Sequence, residues 1–282
     1  MGVRSDPSAM RWLIGHELRR VRLAARRTQA EAGRVLGCTP VKINHLESGR
    51  NKQPPDDVVA LMRFYGADAA DLDRLASLAG RADQGTWWAP FGDVLPNWFK
   101  TFVGLEGLAR AAFVYVTMTL PGQMQIKDYA TAIMEDNLRA SRAEVGQVVR
   151  ARLARQRLTD EAHPLDYHTV VEEGVLHRVV GGPTVMKAQL ERLLQLVELD
   201  NVTLQIMPTA VAVHDGLDGP FQLLDFAEAQ SIGYLEHRSG AVYVQDQDEV
   251  EVYNLAAERL AARALSDADS ADLIRARIAA MT

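Results

Sequence analysis

Along residues 11–27, RWLIGHELRRVRLAARR, apolar side chains recur at Ile14, Leu18, Val21 and Ala25. These are the i, i+4, i+7 and i+11 positions of a helix with one buried side. Arg19, Arg20, Arg26 and Arg27 fall largely off that stripe. Thr28 with Glu31 three residues on forms a capping box and predicts a second helix, ending at Gly37. Thr39 caps a third, with Pro40 at its first position, where a missing N–H costs nothing. Gly49 closes that helix, next to cationic Arg50 and Lys52. Pro54, Pro55, Asp56 and Asp57 open a fourth, and DAADLDRLASLAG supplies a fifth. The first part of the chain therefore reads as an all-α domain of five short helices.

The pattern changes around RADQGTWW, which puts a domain boundary near residue 84 and divides the chain into 1–84 and 85–282. The second part opens with Trp87, Trp88, Phe91, Trp98, Phe99 and Phe102, an aromatic group that reads as a packing hub. A helix is expected over 96–110, a strand over 111–119, and helices over 126–138 and 143–158. In the last of these Val145, Val148, Val149 and Leu153 line one face. From His163 onward strands dominate, at 166–171, 202–207, 221–226, 232–236 and 241–245. Helices are expected at 183–199, at 246–265 (Val250, Tyr253, Ala257, Leu260 and Ala264 in phase) and from Ser266. Helices and strands mix without regular alternation, so the expectation is α+β with a mainly antiparallel sheet.

Composition narrows the class. A length of 282 residues suggests about two domains, and 48% apolar with 24% charged residues is an ordinary globular balance. The longest apolar run, residues 111–118, is far short of the ~18 residues of a membrane helix. MGVRSDPSAM has no apolar segment of the secretory kind, and the single Cys38 excludes an internal disulfide. A cytoplasmic protein is expected. Charge is unevenly spread: residues 11–52 hold 10 Lys+Arg against 3 Asp+Glu, a net of +7, whereas residues 86–282 sum to −10. A basic head on an acidic body suggests that one part meets a polyanion and the other does not.

Residues 28–50, TQAEAGRVLGCTPVKINHLESGR, meet the demands of two helices crossing through a tight turn. Gly33 is the small residue where the second helix presses closest, and Gly37 can take the positive φ of the turn. Ala32, Leu36, Cys38, Ile43 and Leu46 are spaced to seal the angle. Gln29 opens the first helix of the pair, where a side-chain amide can clamp a phosphate.

The stretch resembles the Cro/lambda-repressor-like helix-turn-helix class, often called the xenobiotic-response-element (XRE) class, over roughly residues 11–79. The resemblance rests on TQAEAGRVLG, the turn and INHLESGR. It implies five helices with the third in the major groove of double-stranded DNA, and a pairing of Arg22 with Glu47 that locks that helix. By position it makes Thr39, Pro40, Val41, Asn44 and His45 base-facing, with Lys42, Arg50 and Lys52 serving phosphates. Asn44 can read adenine and His45 can donate to guanine, whereas Pro40 and Val41 offer only apolar contact, best met by thymine methyls. Relatives that begin this helix with Gln or Ser differ from this chain there.

Residues 86–281 resemble the DUF5753 domain of actinobacterial regulators. The matching pieces include LPNWFKTFVGLE, LPGQMQIKDYA, VVEEGVLHRVVGGPTVMKAQLERLL, NVTLQIMP and HDGLDGPFQLLDF. The combination looks like antitoxin-like regulators that are often encoded beside a small DUF397 protein. It implies a DNA-binding regulator whose body binds such a partner or a small ligand; a homodimer is expected because one reading helix buries too little surface for specific affinity, and no cofactor or metal is expected. Trp87, Trp88, Trp98 and His214 are the candidate residues for ligand or partner binding. The rival is an enzymatic or toxin-like body, built on His214-Asp215-Gly216 and Glu172-Glu173. The histidines there lack a tight ligand spacing, and Gly and Asp in such loops more often make turns, so catalysis is not expected.

Overall fold

The computed structural model describes residues 6–81, 88–136, 141–227 and 229–281. The chain forms two compact units: Met1–Ala89 with Lys100–Ala109 and Asp225–Ser231, and Pro90–Phe99 with Arg110–Leu224 and Ile232–Thr282. The boundary expected near residue 84 lies outside the described residues.

Five helices begin the first unit: α1 (Pro7–Ala24), α2 (Gln29–Val35), α3 (Pro40–Glu47), α4 (Pro55–Tyr65) and α5 (Ala69–Arg81). Most of α6 (Asn97–Leu108) also belongs to it. Asp6 starts α1 by accepting the Ser8 and Ala9 N–H groups at 2.8 and 3.1 Å, and Trp88 Nε1 donates to its other carboxylate oxygen. Leu13, Ile14 and Leu18 of α1 are buried with Ala32, Ile43, Leu46, Val58, Leu61, Met62 and Leu75. Val21 and Ala25, further along the same stripe, are only half-buried, because α1 ends at Ala24. The chain leaves α1 through Arg26, held at φ +54.

In the second unit the order is β1 (Ala111–Val116), α7 (Lys127–Glu135), α8 (Val145–Ala154), β2 (Asp166–Glu172), α9 (Glu173–His177), α10 (Pro183–Leu196) and β3 (Val202–Met207), then β4 (Phe221–Asp225), β5 (Ile232–His237), β6 (Gly240–Val244), α11 (Gln247–Arg263) and α12 (Asp267–Ala279). The strands form one sheet in the order β3-β2-β1-β4-β5-β6. β1 pairs with β2, and β2 with β3, in parallel; Val114 stands opposite Thr169, and Thr169 opposite Leu204. β4 and β5, and β5 and β6, are antiparallel.

The architecture is α+β, and its sheet is mixed rather than mainly antiparallel. The reason is in the connections. β1 reaches β2 through α7 and α8, and β2 reaches β3 through α9 and α10. A helical crossover returns the chain to the same edge of the sheet and so makes a parallel pair, whereas the two residues between β5 and β6 can only make a hairpin. The five-residue α9 was not expected; it is too short to show a helical period.

One side of the sheet is filled by α11. Tyr115, Val170, Met207, Phe221, Leu223 and Val244 cluster with Val250, Ala257 and Leu260, and Tyr253 and Ala264 pack beside them. A second cluster joins α7 and α8 through Ala130, Met134, Val145 and Val149, with Val148 and Leu153 partly buried against it. β3 is the sheet's outer strand at this end, and its backbone is covered. The Ile206 N–H donates to Ser270 Oγ, and the Leu265 N–H donates to the Ile206 carbonyl, both at 2.9 Å. Gln205 Nε2 reaches the Ala261 and Leu265 carbonyls. At Ile206 this edge is therefore closed to pairing with another strand.

Ser270 is fully buried. Ser270→Ala should leave the Ile206 N–H unsatisfied and cost about 1–3 kcal/mol, read as a lower urea midpoint at unchanged slope. A midpoint equal to that of the parent protein would show that the cap contributes nothing.

Candidate nucleic-acid interface

Thr28 and Glu31 make the capping box of α2. Glu31 N–H donates to Thr28 Oγ1 at 3.2 Å, and Thr28 N–H donates to Glu31 Oε2 at 2.8 Å. That backbone donation, with the Thr28 hydroxyl, holds the Glu31 carboxyl below its usual pKa. Thr39 caps α3 through Lys42 N–H, with Pro40 in the first turn. Between the helices Gly37 takes φ +61. A Cβ on Gly33 would stand 2.6 Å from the Cys38 carbonyl oxygen, so only glycine lets the turn close onto α2.

α3 is pressed equally closely against α1. A Cβ on Gly15 would meet the Leu46 and Glu47 carbonyl oxygens at 2.6 Å. Gln53, buried beyond the end of α3, donates from Nε2 to the Arg11 carbonyl at 2.8 Å and to the Leu46 carbonyl at 2.6 Å, tying both helices together.

At the base of the unit, buried Arg22 grips Glu47 with two parallel bonds, Nε to Oε1 at 2.5 Å and Nη2 to Oε2 at 2.8 Å. Its remaining Nη1 donates to the Arg27 carbonyl at 2.8 Å, fixing the turn between α1 and α2. Gln29 Nε2 adds a bond to Glu47 Oε2 at 2.9 Å. The Glu47 hydrogen bond raises the Arg22 pKa against the burial that opposes it. Burial, and secondly the Glu47 charge, raise the Tyr65 pKa well above its usual value.

The inward side of α3 thus holds Ile43, Leu46 and Glu47, while Thr39, Pro40, Val41, Lys42 and Asn44 are exposed and His45 is half-buried. Val41 is 60% exposed, large for an apolar side chain with core immediately behind it. Arg50 and Lys52 are exposed beyond the helix, and Lys42 Nζ lies 3.9 Å from Asp57 Oδ2. The structure places four of the five expected base-facing residues on one short helix and the fifth, Thr39, at its cap. It gives the Gln29 amide nitrogen, expected to clamp a phosphate, a bond to Glu47, whose buried charge draws donors from both α1 and α2. Gly15 and Gln53 escaped the sequence reading: a glycine inside a helix and a lone glutamine carry no local signal of a distant contact.

In the second unit His214 is nearly buried. Its Nε2 lies 3.4 Å from Glu172 Oε1, its Nδ1 accepts the Gly216 N–H at 3.2 Å, and Tyr115 donates to the same Glu172 oxygen at 2.6 Å. These bonds hold the loop after β3 to the ends of β1 and β2. Burial first, then the Glu172 hydrogen bond and charge, raise the Tyr115 pKa. Trp88 belongs to the first unit, and Trp98 and Phe99 to the second; Trp87 lies outside the described residues. Among the described residues no group of three His, Cys, Asp or Glu side chains is arranged to hold a metal ion, and no helix is long and apolar enough to cross a membrane.

A capped, closely crossed helix pair with one outward helix in a basic segment defines a helix-turn-helix unit. A family model described as a helix-turn-helix domain matches residues 13–75, and the protein is a DNA-binding regulator. A second, described as a domain of unknown function (DUF5753), matches residues 99–276, and the chain belongs to that family. Neither a curated protein nor a solved structure matches the chain.

Glu47→Gln should strand the Arg22 charge in the interior and cost about 3–5 kcal/mol, measured by thermal unfolding of the first unit. The double variant Arg22→Met, Glu47→Leu, which removes both charges, should lose much less. Equal losses would show that shape, and not charge compensation, matters at this position.

Proposed function

We propose that the chain is an antitoxin-like transcriptional regulator of the XRE type that occupies a two-fold-related operator as a homodimer, with α3 of each copy in the major groove. The observation that carries this reading is the division of α3: one side is locked by Arg22, Gln29 and Gly15, and the other presents Thr39, Pro40, Val41 and Asn44 to solvent. A helix held this rigidly presents its side chains to base edges with little ordering cost on binding. Asn44 reads an adenine edge, His45 donates to guanine, and Pro40 and Val41 cover thymine methyls. Lys42, Arg50 and Lys52 meet phosphates, which set orientation and affinity but not sequence. One such helix buries too little surface for specific affinity, and this favours two copies on one site.

The second unit carries the response. Residues 86–282, most of which form it, sum to −10, and this argues against a part in phosphate binding. We assign it the binding of a small partner protein of the DUF397 kind, or of a small ligand, rather than catalysis. The engagement of both His214 ring nitrogens, with the side chain only 6% exposed, supports that choice, since a general base must reach its substrate.

The test is fluorescence anisotropy on the DNA upstream of the protein's own gene. Asn44→Ala should weaken binding by about 1–3 kcal/mol and relax preference at a single adenine position. Replacing thymine by uracil opposite Pro40 and Val41 should also weaken binding. If the triple variant Lys42→Ala, Asn44→Ala, His45→Ala binds as the parent does, α3 is not the reading helix.

Salt provides a separate check. Binding should weaken steeply as salt rises, and Lys42→Ala should reduce the log–log slope by about one while leaving base preference intact. An affinity independent of salt would remove the phosphate contacts from the reading.

A further inference from the structure

The outer side of α11 touches its own unit through Arg259 and Arg263 and is otherwise largely exposed. Val250, Ala257 and Leu260 turn toward the sheet, whereas Val252 and Leu255 are 66% and 51% exposed. The loop between β3 and β4 adds Val213 and Leu217, at 70% and 64%. That loop is tied to the C-terminal half of the helix: Arg259 Nε lies 3.1 Å from Asp215 Oδ2, and Arg263 Nη1 donates to the Val213 carbonyl at 2.5 Å. These two joined segments supply four of the ten large apolar side chains that are exposed among the described residues. Such a concentration marks a contact surface.

The charges around it are sorted along the helix. Asp248, Glu249 and Glu251 are exposed in the N-terminal half, and Arg259 and Arg263 in the C-terminal half. Positions 248, 252, 255, 259 and 262 share one side of the helix, and Glu251 and Glu258 both lie along one flank of it. A face ordered in this way is complementary to itself when reversed. About a two-fold axis through Leu255, position 251 of one helix stands opposite position 259 of the other. Glu251 then meets the partner's Arg259, twice by symmetry, with Leu255 against its own copy and Val252 beside it. Asp215 occupies the Nε edge of Arg259, and the Nη groups remain for the partner's Glu251. A partner of one net sign would gain nothing from this order, whereas a second copy matches both ends at once.

We propose that α11, with the loop carrying Val213 and Leu217, is the face on which a second copy of this chain docks, as an antiparallel, isologous helix pair. The proposal rests on the two-copy reading above and names the surface that makes the pair.

The test is sedimentation equilibrium of the full chain without DNA. The parent should sediment at twice 31.1 kDa. Glu251→Arg and Arg259→Glu should each weaken self-association at least tenfold, because each places like charges opposite one another. Mixed in equal amounts they should form a heterodimer, since every contact between them is again of opposite sign. That rescue separates a lost interface from a misfolded variant. Leu255→Asp should sediment as a monomer with an unchanged circular dichroism spectrum. A parent that stays monomeric at all concentrations, single variants that dimerise as the parent does, or a mixture that stays monomeric would each overturn the interface. A monomeric parent that still binds the upstream DNA would overturn the interface and leave the DNA reading standing. A dimer that responds to these substitutions but binds no DNA would do the reverse.

Discussion

The first unit depends on one buried ion pair. Arg22 and Glu47 are 25 residues apart in sequence, and their two bonds join the end of α1 to the end of α3. Buried charges of this kind cost several kcal/mol each in lost hydration, and the cost is offset only when every lone pair and proton finds a partner. Here the compensation extends outward. The Arg27 carbonyl accepts from Arg22 and fixes the turn after α1, and the Gln29 amide donates to Glu47 and fixes the start of α2. Three helix ends are therefore set by one guanidinium and one carboxylate. The two parallel bonds add a directional constraint on how α1 and α3 meet, on the side of α3 away from the exposed Thr39, Val41 and Asn44.

Around that pair the packing is close. Gly15 and Gly33 let backbone approach backbone at distances that any side chain would prevent. The exposed side of α3 gains rigidity from this and has little freedom to adapt. Pro40 and Val41 place apolar side chains at the exposed start of the helix, and in the proposed function polar readout falls to Asn44 and His45. The second unit is organised differently. Its parallel half and its antiparallel half meet between β1 and β4, and α11 closes one side with an inward face that is fully apolar. The exposed apolar residues of the same helix are therefore surplus to folding.

Much of this was legible along the chain. Caps, turn glycines and apolar periods act within a few residues, so Thr28, Thr39, Pro40, Gly37 and the α11 stripe of Val250, Ala257 and Leu260 located their elements directly. The Arg22–Glu47 pair was reached only by resemblance, because no local rule joins residues so far apart. The direction of the strands was misjudged although its cause was visible: helical segments stood between the first three strands, and such crossovers make parallel pairs. The bond from Gln29 to Glu47 was not foreseen. A side-chain amide at a helix start can serve a phosphate or a neighbouring carboxylate, and the choice depends on whether a buried charge lies within reach.

The amino-acid sequence by itself determined where α2, α3 and α4 begin, and that the head is basic and the body acidic. These properties follow from short-range hydrogen bonding, steric limits on φ and simple charge counting. Only the tertiary structure decided that Gln29 turns inward, that Gln53 and Gly15 bind α1 to α3, that β1, β2 and β3 run in parallel, and that His214 is held by Glu172 and Gly216. Each of these depends on which distant groups burial forces into contact, and on the requirement that a polar group removed from water must find a partner wherever the fold brings one.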